Sequence, residues 1–230
     1  MDLETLLGRM FTAHPWHGVK GRTDDPDTFR AFVEIVPTDT VKYELDKTSG
    51  LLRIDRPQRF SSMCPTLYGF IPQTYCGAKV AARCGERGFG ENLVGDGDPI
   101  DICILSEKTI VHGNFLARAR AIGGLRMVDG DEADDKIIAV LEADLGFGHM
   151  RDLHECPPGY VDRLRHYFLS YKRKPAEFSK AEDAGPVRIA EIYGQEEALT
   201  VIERSLEDYR DTFGDPSTRV EDLRRLLSAR

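Results

Sequence analysis

The sequence predicts a mainly β chain whose helices gather in the last third. Three observations carry this. Between about residues 32 and 142, short apolar segments, some alternating cleanly with polar residues, are separated by turns. From Pro157 onward, apolar residues recur at helical spacing instead. No internal repeat or low-complexity segment interrupts either pattern. Several short strands joined by turns point to a barrel or a sandwich.

The elements follow in chain order. Residues 1–24 begin with a weakly helical pattern and continue into His14-Pro15-Trp16-His17-Gly18, which suits a packed extended segment better than a metal site. Phe32–Val36 reads as a strand ended by Pro37. Val41–Leu45 alternates, with Lys42 and Glu44 on one face and Val41, Tyr43 and Leu45 on the other. Asp46–Gly50 is a turn, and Leu51–Arg56 returns to complete a hairpin. Residues 57–74 read as irregular, and 75–94, glycine-rich and mixed in charge, as a long loop or hairpin. Strands are predicted at about 100–105, 115–128 and 136–142. Pro157-Pro158-Gly159 opens a helix carrying Val161, Leu164, Phe168 and Tyr171 on one side. A second helix covers about 195–213 (Ala198, Ile202, Leu206, Tyr209, Phe213), and a third about 217–229 (Val220, Leu223, Leu227). The apolar faces of these last two suit packing on the β core or, as the alternative, a subunit contact.

Composition narrows the function. The 230 residues are 41% hydrophobic and 30% charged, ordinary for a soluble globular protein. A net charge of -8 argues against nucleic acid or an anionic membrane as partner. No apolar run approaches the roughly 18 residues needed to span a bilayer, and Asp2 and Glu4 stand where a secretory signal would carry bases. The five cysteines form no CxxC pair, so reduced thiols in a cytoplasmic protein are expected.

The chain is organised around Gly95-Asp96-Gly97-Asp98-Pro99-Ile100-Asp101, which runs into the apolar segment Ile102–Leu105. Two like charges about 4 Å apart repel by roughly 4 kcal/mol at an effective dielectric near 20. Three converging carboxylates therefore call for a cation or for protons. Carboxylates with no base among them at the mouth of a strand suit a hard cation such as Mg²⁺. Taken alone, the stretch is equally a plain Asp-Gly-Pro turn. A second acidic cluster, Asp129–Asp135, precedes Lys136. Neither cluster is an EF-hand, which needs glycine at its sixth position: that position is Asp134 counting from Asp129 and Asp101 counting from Asp96, and the twelfth position counting from Asp129 is Val140.

Lys42, Arg56, Tyr68, Lys136, Tyr171 and Lys172 recur at chain turns. Singly, each reads as a surface residue or ion-pair partner. Together with the carboxylates they describe a phosphoryl-transfer site, with bases and phenols for anionic oxygens and acids for cations. A P-loop glycine motif is absent from the sequence, which argues against a P-loop nucleotide binder. A non-catalytic cation-binding protein is the alternative of another class, and a nucleoside triphosphate or polyphosphate the alternative substrate.

These residues resemble the soluble, Mg²⁺-dependent inorganic pyrophosphatases of family I. The motif D-G-D-P-x-D stands at Asp96–Asp101, preceded by Lys42-Tyr43-Glu44, Asp55-Arg56 and Tyr68-Gly69-Phe70, and followed by Asp129, Asp134, Lys136 and Tyr171-Lys172. Order and spacing match over about residues 30–175. The resemblance implies one domain, residues 1–230, built on an OB-type five-stranded barrel with flanking helices, an insertion at 75–94 and a helical extension from about 195. It implies that Asp96, Asp101 and Asp134 hold a first activating metal, with Asp101 shared with a second. Asp129 and Asp134 would hold a metal arriving with substrate, and Glu44 a fourth, with Glu34 nearby. Mg²⁺ is the implied ion, with Mn²⁺ as a substitute. Asp98 matches the residue that takes the proton of the attacking water, with Tyr68 and Arg56 beside the chemistry. Lys42, Arg56, Tyr68, Lys136, Tyr171 and Lys172 match the groups that hold pyrophosphate and the leaving phosphate. A homo-oligomer, hexamer or dimer, is implied too. Cys64 stands where the resemblance calls for a site tyrosine, so one phenolic donor is lost.

Overall fold

The computed structural model describes residues 13–90, 92–172 and 187–228. The weakly helical start lies in part outside these residues. Ten strands are described: β1 (Thr28–Ile35), β2 (Val41–Leu45), β3 (Leu52–Pro57), β4 (Leu67–Phe70), β5 (Val94–Gly95), β6 (Asp101–Leu105), β7 (Phe115–Asp129), β8 (Glu132–Ala133), β9 (Lys136–Leu141) and β10 (Val187–Gly194). The helices are α1 (Ala78–Glu86), α2 (Pro158–Ser170), α3 (Gln195–Phe213) and α4 (Arg219–Ser228).

The main sheet is mixed. Its pairing path runs β1-β4-β6-β9-β7, and β7 pairs with β1 again, so five strands return to their start. All these pairs are antiparallel except β6–β9. β10 adds to β7, while β2 and β3 form the separate hairpin that the alternating pattern predicts.

Successive side chains of a strand point to opposite faces, and here both faces are covered. Ile102 and Ile104 of β6 and Ile137 and Ala139 of β9 join one core with Ala198, Val201, Ile202 and Leu206 of α3. Cys103, Leu105, Ile138 and Val140 join the other with Leu164 and Phe168 of α2. Double coverage is why these strands read as continuous apolar runs.

Several elements differ from the sequence prediction, the short strands β5 and β8 among them. β4 lies within residues read as irregular. Its Gly69 packs so close to β1 that a Cβ there would fall 1.9 Å from the Phe32 carbonyl oxygen. The glycine that looks like a breaker is what permits the pairing. α1 occupies a segment read as loop or hairpin, and it lies outside the last third, where the other described helices are found. Its exposed amides are satisfied from far along the chain: the Asp208 carboxylate of α3 accepts from the Gly77, Lys79 and Val80 N–H groups at 3.0–3.1 Å. β10 follows a stretch for which no element was predicted, and its alternation is broken by an irregularity between Ile189 and Glu191.

Trp16 is buried, its indole N–H donating to the Thr74 carbonyl at 2.8 Å. The segment around it is a turn closed by the Gly18 N–H on the His14 carbonyl at 2.7 Å, rather than extended. Among the described residues, no helix is long and apolar enough to cross a membrane.

Candidate active site

Parallel strands β6 and β9 begin side by side, with Asp101 in register with Lys136. Acids and bases at the two strand mouths are thereby brought together. Gly97, at φ +75°, turns the chain between Asp96 and Asp98. The Asp98 N–H donates to the Asp96 carboxylate at 2.9 Å, and the Asp98 carbonyl accepts from the Cys76 N–H at 2.7 Å.

One cavity of about 210 Å³ is lined by Lys42, Tyr68, Asp96, Asp98, Asp101, Asp129, Asp134, Lys136, Tyr171 and Lys172, together with Ile35, Glu132, Tyr167 and Phe168. Glu44 lines the adjoining cavity of about 130 Å³ with Glu34 and Trp16, and these two cavities share Lys42, Tyr68, Asp98 and Asp101. Arg56 lines neither. It lies opposite Lys42 on the hairpin, pairs with Asp55 at 2.5 Å, and places its guanidinium 5.9 Å from the Tyr171 ring centre.

The charge balance of the main cavity is uneven: its lining holds six carboxylates, Asp96, Asp98, Asp101, Asp129, Glu132 and Asp134, against three ammonium groups, Lys42, Lys136 and Lys172, and Lys47 adds a fourth from outside the lining. Lys136, buried, bonds both Asp101 and Asp134. Lys172 pairs with Asp129 at 2.5 Å, Lys47 with Asp98, and Lys42 with Asp55 at 3.0 Å and Glu44 at 3.5 Å.

The electrostatic consequences follow. With protein groups as its only neighbours, Asp96 is pushed up to about 8, first by burial and then by the Asp134 charge. Asp101 is also pushed up by burial, against the pull of Lys136. Burial acts the same way on Asp134, but the Lys136 charge and hydrogen bond outweigh it and hold this carboxyl low. Burial alone would lower Lys136, yet Asp101, Asp134 and Asp96 hold its ammonium well above the usual lysine range. Burial and the Asp101 charge keep the Tyr68 phenol protonated, a donor. Glu34, buried and accepting the Leu45 N–H at 2.7 Å, is raised to about 8 by burial.

Among the described residues, no three His, Cys, Asp or Glu side chains form a finished cation cage, because the Lys136 ammonium stands between Asp101 and Asp134. The donor set nonetheless fits a hard divalent cation. It is all oxygen, and burial together with the neighbouring Asp134 charge favours a proton on Asp96, a demand that a bound cation would relieve.

Several neighbours of the site have no role that the sequence alone assigns. Asp55, quoted in the motif, links Lys42 to Arg56. Lys47 reads as a turn residue, yet the hairpin carries it to Asp98; only tertiary contact places it there. Glu132 completes the acidic wall, and the run Asp131-Glu132 was its one signal. Cys64 is buried and pushed by burial to about 12, which makes it an inert thiol. Beside it stands a phenol: Tyr167 lines the site cavity and, with Cys64, a neighbouring cavity of about 800 Å³.

A sequence model described as inorganic pyrophosphatase matches residues 31–210. An inorganic pyrophosphatase of Chlamydia trachomatis is 50% identical over 201 residues, 87% of this chain and 96% of that protein. The crystal structure of an inorganic pyrophosphatase from Neisseria gonorrhoeae superposes with a TM-score of 0.66 at 27% identity, over 84% of this chain and 96% of the other. That of Thermus thermophilus gives 0.67 at 23% identity, over 85% and 99%, a likeness of fold. With most of its length matched, the chain belongs to the inorganic pyrophosphatase family, a family of hydrolases.

Proposed function

We propose that this protein hydrolyses inorganic pyrophosphate to two phosphates with Mg²⁺, Asp98 acting as general base. The observation that carries the proposal is the single cavity where six carboxylates and three ammonium groups from separate segments converge. Asp96, Asp101 and Asp134 would hold a first ion, Asp101 sharing a second. Asp129 with Asp134 would hold one that arrives with substrate, and Glu44 another, Mn²⁺ substituting. Bound Mg²⁺ supplies charge neutralisation and brings the attacking water nearer to ionising at neutral pH.

The chain's own groups do the rest. Asp98 accepts the proton of the attacking water once Lys47 moves aside. Arg56 grips phosphate oxygens with a planar fork that Asp55 already orients, and Lys42 offers a point charge. Tyr68 and Tyr171 donate hydrogen bonds without adding charge. Lys136 and Lys172, paired with acids here, are free to turn to phosphate when cations take their place beside those acids. A phosphate leaving group needs neither a nucleotide site nor a covalent intermediate.

The closed path β1-β4-β6-β9-β7 supports an OB-type barrel within one domain of residues 1–230. We infer a cytoplasmic homo-oligomer, hexamer or dimer, with neither nucleic acid nor membrane as partner. A non-catalytic cation binder would have no use for Lys42, Arg56 and Lys172 around its ions. Phosphate release from pyrophosphate with Mg²⁺, with and without chelator, tests the proposal. Release that the chelator abolishes is expected. Release unaffected by chelator, or faster release from ATP or polyphosphate, contradicts it.

A further inference from the structure

A second cluster of charge lies behind the site and takes part in none of the roles above. Asp134 and Lys136 point into the cavity, so Asp135 between them points the other way. That side is core, yet it holds a buried carboxylate. The Asp135 carboxylate accepts the Tyr193 hydroxyl of β10 at 2.8 Å and lies 3.5 Å from the guanidinium of Arg126 on β7. Arg126 is fully buried, sits 5.0 Å from the Tyr193 ring centre, and pairs with Glu191 of β10 and Glu197 of α3, each at 2.5 Å. Glu197 in turn accepts two hydrogen bonds from Arg83 of α1, at 3.0 and 2.5 Å, and Glu191 accepts from Arg87 just beyond α1. Arg83 also reaches the exposed Glu86 at 3.0 Å.

Buried ion networks add little strength over apolar packing, and in some proteins they fix their members in one arrangement. This one is fixed from two directions. Ala81 and Cys84 of α1 pack on Val128 and Ala133, the residues next to Asp129 and Asp134. Asp208 meanwhile clamps the start of α1 to α3.

We propose that Asp135, Arg126 and Tyr193, braced by Arg83 and Arg87 of the 75–94 segment, are positioning residues that hold Asp134 and Lys136 in working register. On this account the 75–94 segment is a buttress behind the site. The inference rests on the roles proposed for Asp134 and Lys136.

The test uses the whole chain. Asp135→Asn keeps an acceptor for Tyr193 but loses the charge that meets Arg126. Losing a side chain that orients a metal ligand commonly costs about 10- to 100-fold in affinity or rate. Asp135→Asn is therefore expected to lower kcat about 10-fold with KM within twofold. It should also weaken Mg²⁺ binding, measured by calorimetry without substrate, by about fivefold or more, and speed amide exchange at residues 134–136. Val201→Ala, a truncation in the α3 core, provides a destabilised control that should keep Mg²⁺ affinity and kcat. Arg83→Ala combined with Arg87→Ala, on the more exposed side, should show the same pattern at about threefold, and gives the answer if Asp135→Asn does not fold. Kinetics and Mg²⁺ affinity within twofold of the parent, or losses no different from those of Val201→Ala, overturn the proposal. The calorimetry and exchange arms judge it even if pyrophosphate proves the wrong substrate.

Discussion

Two clusters of charge meet back to back where β9 begins. In front, six carboxylates face three lysines of the cavity lining and Lys47 at its edge. Behind, Asp135, Glu191 and Glu197 meet Arg83, Arg87 and Arg126, with Glu86 at the exposed edge. The rear cluster is nearly neutral, and its acids are held by bidentate or hydroxyl partners. The front cluster is not, and Asp96 is raised to about 8 there. Burial alone does not separate the two, since Lys136 in front and Arg126 and Asp135 behind are all buried. What separates them is whether the protein supplies the countercharge. A cluster that balances itself holds a shape, whereas one left short of positive charge is built for ions that come and go.

The contrast can be broken by variants, and the largest effect falls on the front cluster. Asp98→Asn should fold, bind Mg²⁺ and lose on the order of 10²–10⁴-fold in kcat, the span typical of a positioned general base. Turnover near the parent's would remove Asp98 from its role. Lys136→Met removes the one cation that the protein places between Asp101 and Asp134. Leaving buried charges unpaired costs roughly 3–5 kcal/mol, so this variant should melt markedly lower with chelator and recover much of the loss in Mg²⁺. Thermal melts in the two conditions check it, and a loss that Mg²⁺ does not repair would place Lys136 with the rear, self-balanced type.

The next effect depends on pH. Glu34 is raised to about 8, so the folded chain holds a proton there that the unfolded chain releases near 4.5. Its stabilising share is complete below about 4.5 and is lost as pH rises toward 8. The size is on the order of 3–5 kcal/mol at most. Melts in chelator from pH 5 to 9 should fall with pH, and Glu34→Gln, which keeps an acceptor for the Leu45 N–H, should flatten that fall. The smallest effect concerns the missing tyrosine. If Tyr167 stands in for the phenol that Cys64 cannot supply, Tyr167→Phe should raise KM about threefold with little change in kcat, the signature of lost uniform binding. An unchanged KM would leave Tyr167 a packing residue.

Much of the front cluster is legible in the sequence, because its residues sit at strand ends in short motifs. Asp96 to Asp101 leads straight into Ile102–Leu105, and Asp134 precedes Lys136 by two, so periodicity alone puts both on one face. α3 is legible too: Ala198, Ile202, Leu206 and Tyr209 mark a single buried stripe over 195–213. The rear cluster is not legible. Arg126 sits inside a long strand, and its partners lie 65 and 71 residues away in elements that sequence patterns do not connect. α1 is hidden likewise, since its flanking glycines suggest a loop and its cap, Asp208, comes from α3. Local chemistry is written locally, but countercharges and caps borrowed across the fold are not.

The most direct test of the central claim is anomalous scattering from crystals soaked in Mn²⁺. Charge imbalance as the mark of the ion site predicts peaks among Asp96, Asp101 and Asp134 and none beside Asp135, Glu191 or Glu197. Ions found at the rear cluster, or none among those three aspartates at saturating Mn²⁺, would contradict it.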